Sequence, residues 1–271
     1  MGISGSSGSR LARFFLRYAT PFAGLRRLPV FGPWVRWISS KIVARETLTW
    51  IQVQRGPAAG LWLRVNPRTG RSILAGSSER AVQQALVEHL QLGMTFYDLG
   101  ANIGFFTLLA AKLVGPSGCV VSFEADPEIA ARLRENVSRN QFSWVTVEQK
   151  AVWSEPSLVT FLRMDPAISP DRGQGHIIIP YVKGPNAIPI EAVSLDAYTS
   201  KNSAPQFIKC DVEGAEVEVF RGARRLLAEE RPSILCELHG DEIRRIVLQD
   251  FSSLGYRCHD CDPTHILALP Q

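Results

Sequence analysis

The chain has 271 residues, 45% of them hydrophobic and 21% charged, which is enough apolar material for one large domain or one domain with an appendage. No apolar run approaches the roughly 20 residues that cross a bilayer, and no uninterrupted N-terminal apolar stretch precedes a small-residue cleavage site; the expectation is a cytoplasmic globular core. The five cysteines, Cys119, Cys210, Cys236, Cys258 and Cys261, are odd in number and three lie in strand-like runs, which argues against a disulfide framework.

The net charge of +4 is unevenly placed. Arg10, Arg13, Arg17, Arg26, Arg27, Arg36, Lys41 and Arg45 precede the first acidic residue, Glu46, so the remainder is net acidic. In "RLARFFLRYATPF" the residues Leu11, Phe14, Phe15 and Tyr18 recur at helical spacing, predicting a short amphipathic basic helix that ends near Pro21. Trp34, Trp37 and Trp50 follow. Two uses of this segment stay open: peripheral contact with an anionic membrane surface, or packing on the main domain with solvated arginines. The opening "MGISGSS" fits both the myristoylation pattern and a flexible tail. Residues 1–60 are read as a basic, aromatic extension and 61–271 as the main domain.

From about residue 94 strands alternate with helices. "MTFYDLG" reads as a buried strand and "NIGFFTLLAAKLVG" as a helix closed by Gly115 and Pro116. "CVVSFEA" is a second strand, "PEIAARLRENVSRN" a helix with Pro127 near its start, and "WVTVEQKAV" a third strand. Residues 151–205 interrupt the alternation with "LVTFLRM", "HIIIPYV" and "IPIEAVSL" between Pro- and Gly-rich stretches, an insert of extra strands and a loop over the site. The alternation resumes with strand "FIKCDV", helix "AEVEVFRGARRLLAEE", strand "SILCELH" and helix "DEIRRIVLQDFSSLG"; "YRCHD" and "HILALP" close the chain as an antiparallel pair. This order predicts an α/β, doubly wound, mostly parallel sheet with ligands at the carboxyl ends of its strands.

Gly100 and Gly104 bracket the first strand-to-helix turn, where absent side chains let a ligand approach the backbone and the helix directs free amides into the turn. The G-x-x-x-G spacing, with Asn102 in its middle and Asp98 just before it, differs from a dinucleotide fingerprint, since an acid there repels a pyrophosphate. The same acid suits a cationic group, and Glu124 at the end of the second strand suits ribose hydroxyls. An adenosine carrying a cationic tail fits both.

"YDLGANIG" followed by "VVSFEADPE" resembles the S-adenosylmethionine site of class I methyltransferases, and with "LDAY", "IKCDVEGAEVEVFRGA" and "PSILCELHG" the chain is similar to the FkbM-type methyltransferase family over roughly residues 62–269. The resemblance implies a seven-stranded Rossmann-like sheet with a reversed last strand. It also implies methyl transfer from S-adenosylmethionine, usually to a hydroxyl of a sugar, glycan or natural product. It places Asp98, Gly100, Asn102 and Gly104 in the cofactor turn and Glu124 on the ribose. Glu79 falls where the family often has Gly-x-Tyr-Glu, but Ser78 replaces the aromatic residue.

The chemistry is expected at the end of the next strand, where Asp211 and Glu213 are followed by Glu216 one turn into a helix, and on the adjacent strand, where Glu237 and His239 alternate. Methyl transfer needs the acceptor aligned and its hydroxyl proton removed, work a carboxylate or imidazole can do. The candidates are Asp211, Glu213, Glu237 and His239, with His239 favoured as base by intrinsic pKa and Asp211 by position. Asp211, Glu237 and His239 are also acceptable ligands for a divalent metal, a use not favoured because their spacing is not diagnostic. Cys258, Cys261 and His265 offer a weaker zinc set. The acidic catalytic region, with "DVEG" in place of a base-presenting Asn-Pro-Pro-Tyr type of strand end, argues against nucleic acid as partner; a small-molecule or glycan acceptor is what the resemblance implies. A nucleic acid methyltransferase and a non-catalytic cofactor-binding module are the alternatives.

Overall fold

In the computed structural model, residues 48–66, 70–163, 175–178, 184 and 186–271 are described. The expected basic helix before Glu46 and most of the insert's loop lie outside them. The chain divides into two units, one up to Ser78 and one from Glu79 to Gln271. In the first, β1 (Thr49–Gln52) pairs antiparallel with β2 (Trp62–Val65), and a short helix α1 (Arg71–Ala75) follows, ended by Gly76 at φ 67°.

The second unit begins with α2 (Arg80–His89) and then follows the βα alternation. The elements are β3 (Thr95–Leu99), α3 (Phe105–Val114), β4 (Cys119–Phe123), α4 (Pro127–Asn140) and β5 (Val145–Glu148), then β10 (Phe207–Cys210), β11 (Ser233–Glu237), α8 (Asp241–Ser253), β12 (Tyr256–Asp260) and β13 (His265–Pro270). The sheet order is β12-β13-β11-β10-β3-β4-β5, with β13 antiparallel to both neighbours and the central strands parallel. This is the seven-stranded arrangement with a reversed last strand. Chain order reverses between β10 and β3, and at such a switch point the carboxyl strand ends part to leave a crevice.

The central strands read as continuous apolar runs because helices cover both faces. Tyr97, Leu99, Phe123, Ile208, Cys210, Ile234 and Phe251 share one buried core. Helix α3 is apolar nearly all round, consistent with the burial of eight of its residues, whereas α4 is amphipathic and starts on Asp126, whose side chain accepts the Glu128 and Ile129 amides.

Two elements depart from the sequence reading. "WVTVEQKAV" is two strands, because after Glu148 the chain leaves the main sheet and Ala151–Val152, here β6, pairs with β9 (Ala187–Val193). An apolar run carries no mark of which sheet each half joins. Strands β7 (Ser157–Arg163) and β8 (Gly175–Ile178) complete a second sheet of order β6-β9-β7-β8, so the insert is a sheet of its own. "AEVEVFRGARRLLAEE" is broken at Gly222 into α6 (Glu216–Arg221) and α7 (Arg224–Glu229); a Cβ at Gly222 would stand 2.3 Å from the Trp153 carbonyl, so the chain passes too close there for a side chain. "LDAY" lies in a helix, α5 (Leu195–Thr199), whose Asp196 accepts the Arg225 and Leu226 amides and caps α7. Its Tyr198 stacks edge-on to Tyr97 and Phe123 and donates to Glu148.

Candidate functional site

The glycine turn is fixed by sterics and by one acid. Gly100 has φ 76°, and a Cβ there would meet the Asp211 carbonyl at 1.8 Å, so this position takes no side chain while β3 and β10 lie side by side. Asn102 also adopts positive φ, 51°, with its Oδ1 accepting the Ile103 amide. Glu124 Oε2 accepts the Asn102 amide and Oε1 the Asp126 amide, each at 2.8 Å, so one carboxylate joins the ends of β3 and β4. Burial pushes the Glu124 carboxyl up to about 7 against the pull of those two amides. From α4, Asn136 donates to the Ile103 carbonyl at 2.8 Å. Gly104, at φ 88°, stands where a Cβ would strike Leu133 of α4 at 2.1 Å.

Asp98 does not line the cleft. Its carboxyl is 0% exposed; Oδ2 accepts the Thr107 hydroxyl at 2.6 Å, and Oδ1 lies 3.9 Å from the Lys209 ammonium. Lys209, 3% exposed, is the residue the sequence reading missed. It sits opposite Asp98 in the β10–β3 register, reaches Asp211 Oδ2 at 3.2 Å and lies over the Phe106 ring. Burial opposes its charge, but Asp211 and Asp98 outweigh burial and push its pKa up. A lysine inside the apolar run "FIKCDV" was the available signal, because a buried lysine requires a carboxylate partner. Asp98 is raised by burial against Lys209 and Thr107; Asp211 is also disfavoured by burial, yet Lys209 and His239 hold it below its ordinary value.

The carboxyl ends of β10 and β11 bring Asp211, Glu213, Glu237 and His239 together. His239 Nδ1 lies 2.7 Å from Glu216 Oε1, and Nε2 lies 3.5 Å from Glu213 Oε2 and 4.0 Å from Asp211 Oδ1. Glu216 is fully buried at the start of α6 and also accepts the Gly214 amide, so it acts as an orienting acid beneath the imidazole. Its hydrogen bond, opposed by partial burial, raises His239 to about 9. Glu213, at φ 52°, has its carboxyl raised by burial and by Asp211. Gly100, Asn102, Glu124, Asp211 and Glu213 line one cleft, whose opposite wall is Phe161, Gly175 and Ile177 of the insert sheet. Arg163 of β7 anchors that wall by a bidentate pair to Asp126, at 2.6 and 2.7 Å, and a contact to Glu128.

Among the described residues, two groups of potential metal ligands have all their ligand atoms within 4.8 Å: Asp211, Glu237 and His239, and Glu79, Glu237 and His265. Neither includes Cys258 or Cys261, which are free thiols, so the cysteine–histidine zinc set is not assembled; His265 turns toward carboxylates instead.

A stretch of 48 residues, 18% of this chain, is 46% identical to arsenite methyltransferase of Halobacterium salinarum, and 57 residues, 21% of this chain, are 39% identical to protein-L-isoaspartate O-methyltransferase of Triticum aestivum. These stretches span 12% and 25% of those two proteins. The crystal structure of methyltransferase FkbM from Methylobacillus flagellatus KT superposes with a TM-score of 0.45 at 20% identity, over 65% of this chain and 43% of that one. The methyltransferase FkbM domain matches residues 98–258, more than half of the chain and inclusive of both the glycine turn and the acid–base cluster. On that match the chain belongs to the FkbM methyltransferases, a class I S-adenosylmethionine-dependent family.

Proposed function

We propose that this chain transfers a methyl group from S-adenosylmethionine to a hydroxyl oxygen of a sugar, glycan or natural-product small molecule. The observation that carries this reading is a single cleft with two chemically distinct parts: the glycine turn with Glu124, and the strand-end acids Asp211 and Glu213 beside His239.

The residues fit a nucleoside with a cationic tail. Gly100 and Asn102 line the cleft at the turn, and each Glu124 oxygen keeps a lone pair for a ribose hydroxyl after accepting one amide. Asp211, held ionised, supplies negative charge for a sulfonium, and Asp98 contributes through Lys209 rather than by contact. When bound, S-adenosylmethionine supplies a methyl group on positively charged sulfur. The protein's part is to hold the acceptor oxygen in line and to receive its proton. His239 Nε2 is aimed at the cleft acids with Glu216 behind it, an orientation suited to a base; Asp211 and Glu213 are placed to hold the hydroxyl. The surplus of carboxylates favours a neutral or cationic acceptor over a polyphosphate.

Calorimetry with S-adenosylmethionine and its demethylated product tests the cofactor half of the reading. Wild type is expected to bind both saturably, and Glu124→Ala to weaken binding at least about tenfold, or about 1.4 kcal/mol. His239→Gln is expected to keep binding while methyl transfer falls by about 10²–10⁴. Absence of saturable binding by the wild type overturns the proposal.

A further inference from the structure

A second cluster joins residues from both sides of the family match to one within it: Glu79 precedes residue 98, Asp262 and His265 follow residue 258, and Glu237 lies between. His265 is 5% exposed, and its Nε2 is a buried nitrogen with no hydrogen-bond partner. That nitrogen faces Glu237 Oε2 at 3.5 Å and Glu79 Oε2 at 3.8 Å. The other ring nitrogen, Nδ1, lies 2.9 and 3.0 Å from the two oxygens of Asp262, which also accepts the Thr264 and His265 amides. Asp262 offers only acceptors there, so Nδ1 carries a proton and the other ring nitrogen, Nε2, faces two carboxylates.

Two carboxylates facing one buried imidazole nitrogen call for a positive species among them. A metal ion with bonds of about 2.0–2.2 Å sets tetrahedral ligands roughly 3.3–3.6 Å apart; the two edges at His265 Nε2 are 3.5 and 3.8 Å, and all three ligand atoms lie within 4.8 Å of one another. Of the neighbouring cations, Lys209 is held by Asp211 and Asp98 and acts on Glu79 only at longer range, and His239 is held by Glu216. The Asp262–His265 pair matches the outer-shell carboxylate that fixes a ligating histidine, and Glu79, with 42% of its side chain exposed, opens the cluster to solvent.

We propose that Glu79, Glu237 and His265 bind one divalent first-row transition cation, with Asp262 orienting the imidazole. One nitrogen and two carboxylate ligands select zinc or manganese over magnesium or calcium. The ion joins the start of α2 to β11 and β13, and Glu237 places it beside the acid–base cluster.

The test is equilibrium dialysis of the chelator-stripped full-length chain against zinc alone and manganese alone, with metal counted by mass spectrometry and the melting temperature followed in parallel. Wild type is expected to take up one equivalent and to melt higher with metal. Glu79→Gln, a change at an exposed side chain, and Asp262→Asn are each expected to weaken binding about 10–100-fold and to lose the thermal shift, while His239→Gln keeps both. No stoichiometric uptake by the wild type overturns the proposal. So does uptake that survives Glu79→Gln and Asp262→Asn but is lost in His239→Gln, since the ion would then belong to Asp211, Glu237 and His239.

Discussion

His239 gives the molecule a pH dependence of definite sign. Its value of about 9 lies above the ordinary 6.5, so the imidazolium adds stability that is fully present below about pH 6.5 and is lost as pH rises through about 9. Activity runs the opposite way, because a base must be neutral; if His239 receives the proton, the rate climbs about tenfold per pH unit toward pH 9. Glu216→Gln replaces the carboxylate whose hydrogen bond and charge raise the value with a neutral amide. The limb of the pH–rate profile is therefore expected to move at least about one unit lower with a reduced plateau, and an unmoved limb would assign the proton to another group. At Gly100, alanine adds a strained positive φ and a contact of 1.8 Å with the Asp211 carbonyl. Its cost is expected to exceed about 1–3 kcal/mol, measured as a lower denaturation midpoint.

At the scale of elements, the cleft has two walls of different security. The strand-end wall belongs to the seven-stranded sheet; the insert wall is a separate four-stranded sheet, tied to α4 by the Arg163 pairs to Asp126 and Glu128. Asp126 is buried and also caps α4, so Arg163→Met strands an acid as well as freeing β7. The expected cost is about 1.5–3 kcal/mol, with faster amide exchange in β7 and β9 than in β3 and β10, read by hydrogen-exchange mass spectrometry. Asp196→Ala removes the cap of α7 and should cost about 1 kcal/mol in a urea titration without changing cofactor binding.

Across the whole molecule, stability rests on the layers around the seven-stranded sheet. Phe251 of α8 is fully buried, with ring centroids 4.7 Å from Phe220 and 5.6 Å from Tyr256, so it ties α6, α8 and β12 into one core. Phe251→Ala is expected to cost about 3–5 kcal/mol by calorimetry, more than any single ion pair described. No helix among the described residues is long and apolar enough to cross a membrane.

From residue 94 on, the main-sheet order of strands and helices, the glycine turn and the acids at the strand ends were legible in the sequence, because each depends on local periodicity or on a backbone angle that few residues adopt. The breaks at Gly222 and after Glu148 were not, since each is set by where a distant segment passes: the Trp153 carbonyl in one case and β9 in the other. Tertiary structure alone decided which charges neutralise which. Asp98 is answered by Lys209 across two strands, Glu216 lies beneath His239, and His265 is turned from its cysteine neighbours toward Glu79 and Glu237. Ion pairing falls off with distance in space, and only the sheet's register makes residues far apart in the chain neighbours.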